Sequence, residues 1–453
     1  MYLHECYIQT MEADDTEKQE SGDQIALEIT PLGPAEDLTS SIREKLEAIS
    51  FPCCIFHVPN NFSSQGEHAH YYPKIISIGP FHHGKIHLLH MENHKWDYLN
   101  ALLSRNFTLD STLDSCVKVL KELEPKIRAC YQGNLSFESD EFVRMILLDA
   151  CFIIELFLRY TIRGLRRRDD ALFRSPEKFH VLRNDLSLLE NQIPFFVLQR
   201  IFSVVPLPRE CDGSLSELSL RFFKPLIPTN VQLLLEKYSF EGSSHLLDLI
   251  WKAHLPSFSK VPMGRGNDSG KHLHSATKLR KVGIKVKAAE AESILDVKFI
   301  KGVLIIPSLK IHNYMEALFR NFIAMEHCHA GKMKHITSYV YLMKGLIHSQ
   351  DDVKLFFRRE IFISYVGEKG DLVDLFRNLC RNIDLDKFYY EGMWEQLMAT
   401  GRTRWEVLYY KMQQKFREIQ CKVSRVTLGV LVLVSVLIGI LVIVLYFFIS
   451  RHH

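Results

Sequence analysis

The 453-residue chain lacks the short motifs by which many enzymes and metal sites are recognised. It contains no GxSxG nucleophile elbow, no phosphate-binding P-loop and no protein-kinase signature set. Neither HExxH nor CxxC occurs, so the tight ligand spacing of most zinc sites is missing. Gly264, Gly266 and Gly270 do not form GxGxxG, and no predicted strand precedes them, which argues against a dinucleotide site. We therefore expect a protein that is not an enzyme and has no catalytic residue, bound cofactor or metal.

The amino-terminal end lacks the features of a secretory signal. Residues 1–10 include His4 and Glu5 and contain no long apolar run. Without such a signal, the ten cysteines are expected to be reduced thiols, most of them small residues of the core.

Basic charge is not concentrated in one place, which argues against a nucleic acid as partner. The formal net charge is +3, but residues 1–38 carry ten acidic side chains and one basic side chain. This segment has a charge of −9 and few aromatic residues, and it is predicted to be a disordered acidic lead. The other residues carry +12 in total, spread along the chain.

What the chain does contain is a long apolar run near its carboxyl end. Residues 426–449 have no charged side chain and consist mostly of Leu, Val, Ile and Phe. As a helix, these 24 residues are about 36 Å long, enough to cross the roughly 30 Å hydrocarbon core of a bilayer. Residues 450–453 form a short tail after this run. We therefore predict a tail-anchored protein with a single transmembrane helix and a lipid bilayer as one partner.

The flanks of the apolar run predict its orientation. The bases just before it are Lys411, Lys415, Arg417, Lys422 and Arg425, and the acid among them is Glu418. The positive-inside rule then places the preceding body in the cytosol, at the plasma membrane or an endomembrane. Within the run, Ser435 and Gly439 have the small-xxx-small spacing that lets two helices approach closely. We expect these two residues to form the contact of a membrane homodimer.

Hydrophobic periodicity predicts a predominantly α-helical (α+β) protein, with a large globular body, a small β-hairpin element and the carboxyl-terminal transmembrane helix. Residues 39–256 are predicted to form a mainly helical first part of the body. Residues 276–425 are predicted to form a second part that contains the hairpin and further helices. Residues 257–275, with Gly, Ser and Pro, are predicted to be a flexible linker or long loop between them.

Helical spacing predicts helices over residues 91–104, 141–163 and 181–202. The helix over 141–163 is apolar on nearly all sides and should lie at the centre of the core. Pro194 is expected to bend the helix over 181–202 or to start a second one. Residues 296–307 read as strand, turn and strand, and a last helix is expected to run into the apolar span.

Two groups of residues leave a chemical role open. Eight histidines lie between residues 57 and 94, close to Cys53 and Cys54, a composition that would suit zinc. Alternatively, the segment GPFHHG (79–84) forms a turn whose imidazoles contact nearby backbone groups. Asp149, Glu155 and Glu190 lie in apolar segments, where buried carboxylates act as general acid and base or pair with a core arginine or a backbone amide. We favour the structural role in both groups.

Four stretches, in their order, resemble a known plant family. They are the segment 71–99 with GPFHHG, DACFIIELF (149–157), DLSLLENQIPFFVL (185–198) and SATKLRKVGIKV (275–286). From about residue 52 onward the chain resembles the plant family called domain of unknown function 247. The resemblance implies no catalytic residue. Some members are associated with pollen–pistil self-incompatibility in grasses, which implies recognition.

The resulting hypothesis is a tail-anchored protein-interaction or recognition module that faces the cytosol and binds partner proteins. The alternative is a membrane-anchored enzyme of unassigned, metal-dependent chemistry. An exposed apolar or mixed groove would favour the first, and a pocket where the carboxylates or histidines converge would favour the second.

Overall fold

A computed structural model describes residues 53–62, 68–105, 109–256, 274–329, 333–364, 371–383 and 385–450. The predicted acidic lead, residues 257–273 of the predicted linker and residues 451–453 lie outside this set. Residues Phe51–His453 belong to one compact unit. The described residues are mostly helical, with small sheets of two and three strands, so the predicted predominantly α-helical (α+β) class is confirmed. The division of the body at the linker stays a prediction.

Three helices build the amino-terminal part of the core: α1 (His90–Leu103), α2 (Leu109–Ala129) and α3 (Ser139–Thr161). Helix α3 is buried along almost its whole length, as its nearly continuous apolar sequence predicts. Both α1 and α2 pack on it. The ring of Phe152, near the middle of α3, is fully buried and lies 4.9 Å from the ring of Tyr98 on α1.

The helix predicted over residues 181–202 is two helices. Helix α4 (Pro176–Asp185) ends early, and α5 (Phe195–Val204) begins directly after Pro194, as expected for a proline at a helix start. Residues 186–194 between them are not helical. The side-chain amides of Asn191 and Gln192 donate to backbone carbonyls of this segment at 2.8–2.9 Å, and such bonds compete with helical ones.

Three short helices follow: α6 (Leu215–Phe222), α7 (Val231–Lys237) and α8 (Leu246–Lys252). Each begins after a residue whose side chain accepts a hydrogen bond from a first-turn amide, namely Ser214, Asn230 and His245. Local sequence therefore defines where these helices start.

The predicted strand–turn–strand element is confirmed. Strands β2 (Lys298–Ile300) and β3 (Val303–Pro307) pair antiparallel, and the turn residues Lys301 and Gly302 both have positive φ angles, of 48° and 78°. Strand β1 (Lys285–Ala289) pairs in parallel with the other edge of β3, so the sheet order is β1-β3-β2.

The remaining elements in the described part of the body are helices and one further strand pair. Its elements are α9 (Ala276–Lys281), β4 (Leu309–Ile311), α10 (Met315–Cys328), α11 (His335–Leu346), α12 (Gln350–Arg358), β5 (Phe362–Ser364) and α13 (Leu372–Leu379). Strands β4 and β5 are parallel. The buried Asn321 of α10 accepts a hydrogen bond from the Leu189 amide at 2.9 Å and donates one to the His70 carbonyl at 2.9 Å. Helix α10 is thereby bonded to segments that precede it by more than a hundred residues.

Helix α14 (Glu391–Ser450) is 60 residues long and continuous, which confirms the prediction that the last helix runs into the apolar span. Its first turns belong to the body, where Trp394 and Leu397 are buried. Residues Val426–Ile443 of this helix are exposed throughout, and the helix is long and apolar enough there to cross a membrane.

Candidate functional site

The sequence segments 71–99 and 185–198, noted above, bind each other. Residues 185–194, from the last residue of α4 to the start of α5, bind the backbone of residues 74–79. The carboxylate of Asp185 accepts hydrogen bonds from the amides of Lys74, Ile75 and Ile76 at 2.7–3.1 Å. Burial raises the pKa of Asp185 to about 6, although these three donors act in the opposite direction. We call residues 74–79 and 185–194, together with the ion pair described next, the clasp.

The ion pair of the clasp is buried. Lys95 Nζ of α1 donates to Asp149 Oδ1 of α3 and to the Ser77 carbonyl, both at 2.6 Å. The second carboxylate oxygen of Asp149 accepts from the Gly79 amide at 2.7 Å. Burial lowers the pKa of Lys95, but the carboxylates of Asp149 and Glu92 outweigh burial, so the pKa is raised and the ammonium stays charged. Asp149 therefore pairs with a lysine and a backbone amide, where the sequence suggested a core arginine or an amide.

Position 79 requires a glycine because of its backbone conformation and its close neighbours. Its φ angle is +74°, and a Cβ atom built on it would lie 2.4 Å from the Gln192 carbonyl oxygen. No L-residue fits this position without a shift of the backbone. The glycine of GPFHHG thus allows the two segments of the clasp to approach each other.

Glu190 and two histidines form the polar centre at the edge of the clasp. The Glu190 carboxylate accepts from the Val58 amide at 2.8 Å, and it lies 3.4 Å from a ring nitrogen of His57 and 3.4 Å from one of His82. Burial raises the pKa of Glu190, but the His82 ring and the Val58 amide outweigh burial and lower it overall. The carboxylate is therefore ionised at neutral pH.

The proton positions on His82 follow from its neighbours. Lys85 Nζ lies 2.7 Å from His82 Nδ1, and because an ammonium only donates, Nδ1 must be the acceptor. The proton of the neutral ring is then on Nε2, which lies 3.4 Å from the Glu190 carboxylate without a well-directed hydrogen bond to it. Burial lowers the pKa of His82 and Glu190 only partly offsets it, so the ring is neutral at pH 7. Lys85, His82 and Glu190 form a polar chain from the surface to the clasp.

The other histidines of this region do not converge. Gly84 has φ +76° and α1 begins only at His90, so the histidines at 83, 87, 90 and 94 do not share one helical face. His87 bonds the Pro73 carbonyl and His90 the His87 carbonyl, at 3.2 and 3.0 Å. Within the described part of the chain, no group of three or more His, Cys, Asp or Glu side chains is arranged to hold a metal ion.

Glu155 belongs to a separate buried network on α3. It pairs with Arg105 and with Arg159 Nε, the latter at 2.7 Å, and Arg159 continues to Asp170 at 2.7 Å. The Tyr98 hydroxyl donates to the same Asp170 oxygen at 2.8 Å. Pairing of Glu155 with a core arginine is the structural role expected from the sequence. Asp149, Glu155 and Glu190 therefore belong to three distinct networks.

An apolar groove lies between three helices of the body. Helices α1, α2 and α3 border an open space of about 710 Å³. Each helix contributes one stripe of its surface, and the main apolar lining residues are Trp96, Leu99, Leu113, Val117, Val143 and Leu147. The rim is mixed in charge, with Lys118, Lys121 and Arg144 against Asp114 and Asp140. Trp96, at one end, is 48% exposed.

Sequence reasoning did not find the groove or Lys95. Lys95 did leave a signal, because it lies on the buried stripe of α1 with Met91, Tyr98 and Leu102, and a lysine in such a stripe requires a buried anion. The groove left no signal, because it depends on the angle between packed helices.

Ser435 and Gly439, the expected membrane-dimer contact, both lie on the exposed part of α14. The Ser435 hydroxyl donates to the Val432 carbonyl of its own helix at 2.8 Å. A Cβ atom on Gly439 would meet no atom within 4 Å. Their contact with a second helix stays a prediction.

Comparison with known proteins gives a family without an assigned activity. The model of a family described as "Plant protein of unknown function", DUF247, matches residues 55–438. UPF0481 protein At3g47200 of Arabidopsis thaliana is 30% identical over 367 residues, which cover 76% of each chain. Putative UPF0481 protein At3g02645 of the same plant is 21% identical over 445 residues, covering 75% of this chain and 83% of that relative. No solved structure matches the chain.

Proposed function

Since the chain belongs to this plant family of unknown function, we propose a function from its own surfaces: it is a membrane-anchored interaction module that faces the cytosol. Residues 426–449 insert into a bilayer, and the groove between α1, α2 and α3 receives a helix of a partner protein. Its role is recognition, without catalysis.

The anchor is supported by the exposure of α14. Eighteen consecutive residues, Val426–Ile443, are apolar enough for a bilayer and none of them is covered by the body. Exposing so large an apolar surface to water is unfavourable by roughly 25 cal/mol per Å², and a hydrocarbon environment removes that penalty. The excess of bases before the run supports a cytosolic body.

Truncation at Ser424 tests the anchor. The shortened chain lacks the whole apolar run and is expected in the soluble fraction, whereas the full chain should stay in the membrane pellet after a high-salt wash. Retention of the truncated chain in the washed pellet would refute a single carboxyl-terminal anchor. Protease treatment of intact vesicles tests the orientation, because a cytosol-facing body is digested from outside.

The groove is the observation that carries the binding function. Three helices each turn an apolar stripe towards one open space, which is the position a fourth helix takes in a bundle. The floor on α3, from Asp140 to Leu148, is about 12 Å long, so it fits two to three turns of an amphipathic helix. The half-exposed Trp96 at the end of the groove is the type of residue that most often anchors a protein interface.

Helix α2 offers a matched pair of variants for this test. Val117 lines the groove, whereas Val119, equally half-buried on the same helix, does not. In proximity labelling of the membrane-inserted protein, Val117→Glu should lose a defined set of labelled partners that the parent and Val119→Glu keep. Equal melting temperatures of the two variants would exclude misfolding as the cause. If both variants label the same partners as the parent, the groove is not the binding surface.

The sequence left one alternative open, a metal-dependent enzyme, and the histidines next to the clasp are the residues that test it. Purified protein that binds stoichiometric zinc, and loses it on replacement of His82 and His83 by Ala, would support the enzyme. If zinc content does not respond, and deletion of residues 1–38 changes which proteins co-purify, the interaction module is supported.

A further inference from the structure

Helix α14 leaves the body at Arg404. Before this point its side chains pack into the core, and Arg404 itself lies against the β2–β3 turn, where a Cβ atom on Gly302 would come within 2.8 Å of its guanidinium. After it, every described side chain from Val407 to Gln420 is exposed. The described side chains of this helix between Val407 and Gln420 are thus not covered by any described part of the body. Most of the stability of helices in proteins comes from packing of an apolar face, so a partner helix would stabilise this segment further.

One face of this exposed segment is apolar. Tyr409, Met412, Phe416 and Ile419 are 64%, 53%, 70% and 53% exposed, although they are large hydrophobic residues. We call these four residues the seam. Apart from Tyr410, the residues between them are polar or charged.

The spacing of the seam is that of a coiled coil. Its residues follow one another at intervals of three, four and three, so they occupy the a and d positions of a heptad repeat. The sequence continues this spacing with Val423 and then, inside the apolar run, with Val426, Val430 and Leu433. A strict seven-residue repeat keeps the seam of one helix facing a partner helix along the whole length.

We propose that α14 pairs in parallel with α14 of a second copy of this chain through the seam. A second copy offers the same repeat at the same height, because both copies enter the membrane from the same side; this step rests on the anchor proposed above. The flanking charges agree with a parallel pair. Gln413 and Gln420 occupy e positions and Lys415 a g position. A parallel pair brings Lys415 beside Gln420 of the second copy, whereas an antiparallel pair brings lysine beside lysine.

The seam is a different face from the predicted Ser435–Gly439 contact. At about 100° per residue, these two small residues lie roughly 150° around the helix from Leu433, Leu437 and Ile440, which continue the seam in the span. A substitution at Gly439 therefore tests the Ser435–Gly439 contact without changing the seam.

Cysteine crosslinking of the full chain in membranes tests the pairing directly. In a Cys421→Ser background, Ile419→Cys places a thiol on the seam and Gln414→Cys places one on the outer face. Mild oxidation should join two copies through position 419 and leave position 414 uncrosslinked. Equal crosslinking at the two positions, or none at either, would overturn the proposal.

A second measurement uses the mass of the detergent-solubilised full chain. Phe416→Lys should abolish the dimer, because it places a charge in the seam of each copy. Gln414→Lys, which adds the same charge to the outer face, and Gly439→Ile should both keep it. Since position 416 lies outside the body, the melting temperature of the body should not change. A dimer that survives Phe416→Lys, or that Gly439→Ile alone removes, would refute the seam. The mass in detergent is measured without a bilayer, so this result is independent of the truncation test of the anchor and of the protease test of orientation.

Discussion

Removing the ammonium from the buried pair of Lys95 and Asp149 should strongly destabilise the clasp. Lys95→Met keeps the length and apolar stem of the side chain but removes the ammonium that bonds Asp149 and the Ser77 carbonyl. The Asp149 carboxylate would then be buried with only the Gly79 amide as partner. Breaking a buried pair in this way costs about 3–5 kcal/mol, because one charge is left without compensation. A typical domain has a stability of only about 5–15 kcal/mol.

The test compares this variant with the double variant Lys95→Met, Asp149→Asn. The asparagine keeps an acceptor for the Gly79 amide and carries no charge, so the double variant should be more stable than Lys95→Met alone. Urea unfolding of the full chain in detergent, followed by fluorescence, measures both. If Lys95→Met lies within about 1 kcal/mol of the parent, or if the double variant is the less stable one, the buried pair is not ionised as described.

Three further predictions concern the body. Phe152→Ala deletes a fully buried ring of α3 and should cost about 3–5 kcal/mol in chemical unfolding; a melting temperature within a degree or two of the parent would show that α3 is peripheral. Gly79→Ala should destabilise the protein in chemical unfolding by more than Gly84→Ala, because both positions have a positive φ and share a backbone cost of about 1–2 kcal/mol, but only a Cβ at position 79 clashes with the Gln192 carbonyl oxygen. Lowering the pH from 8 to 5 should destabilise the protein. His245 and His254 have pKa values lowered by burial to about 4, so the unfolded chain binds protons that the folded chain does not, and each histidine costs about 2 kcal/mol at pH 5. The raised pKa of Asp185 acts in the opposite direction and stabilises the folded protein by about 1 kcal/mol over the same pH range, so the net effect is destabilisation. A denaturation midpoint that rises on acidification would contradict this prediction.

The elements that sequence alone predicted are those whose pattern lies within a short segment. The apolar periodicity of α3, the strand–turn–strand pattern of residues 296–307 and the uncharged run after residue 425 are each complete within about 25 residues. The helix over 181–202 failed in its middle because the side chains of Asn191 and Gln192 take backbone partners that helical periodicity does not describe.

The candidate sites were harder to predict from the sequence, because their contacts join residues that lie far apart in the chain. The carboxylate of Asp185 meets amides more than a hundred residues earlier in the chain, and no local pattern reports a partner at that distance. The sequence indicated Asp149, Glu155 and Glu190 as carboxylates in apolar segments, but only the fold shows that they belong to three separate networks. The groove is bordered by three helices, and their relative placement is a property of the packed core.

The continuity of α14 has a mechanical consequence. The segment from residue 405 to residue 425 is about 32 Å of uninterrupted helix, so it acts as a rigid stalk, whereas a glycine-rich linker of equal length would act as a tether. With the apolar run in a bilayer, such a stalk holds the body at a set height above the lipid surface. It also transmits rotation, so that any turn of the helix within the bilayer reorients the groove by the same angle.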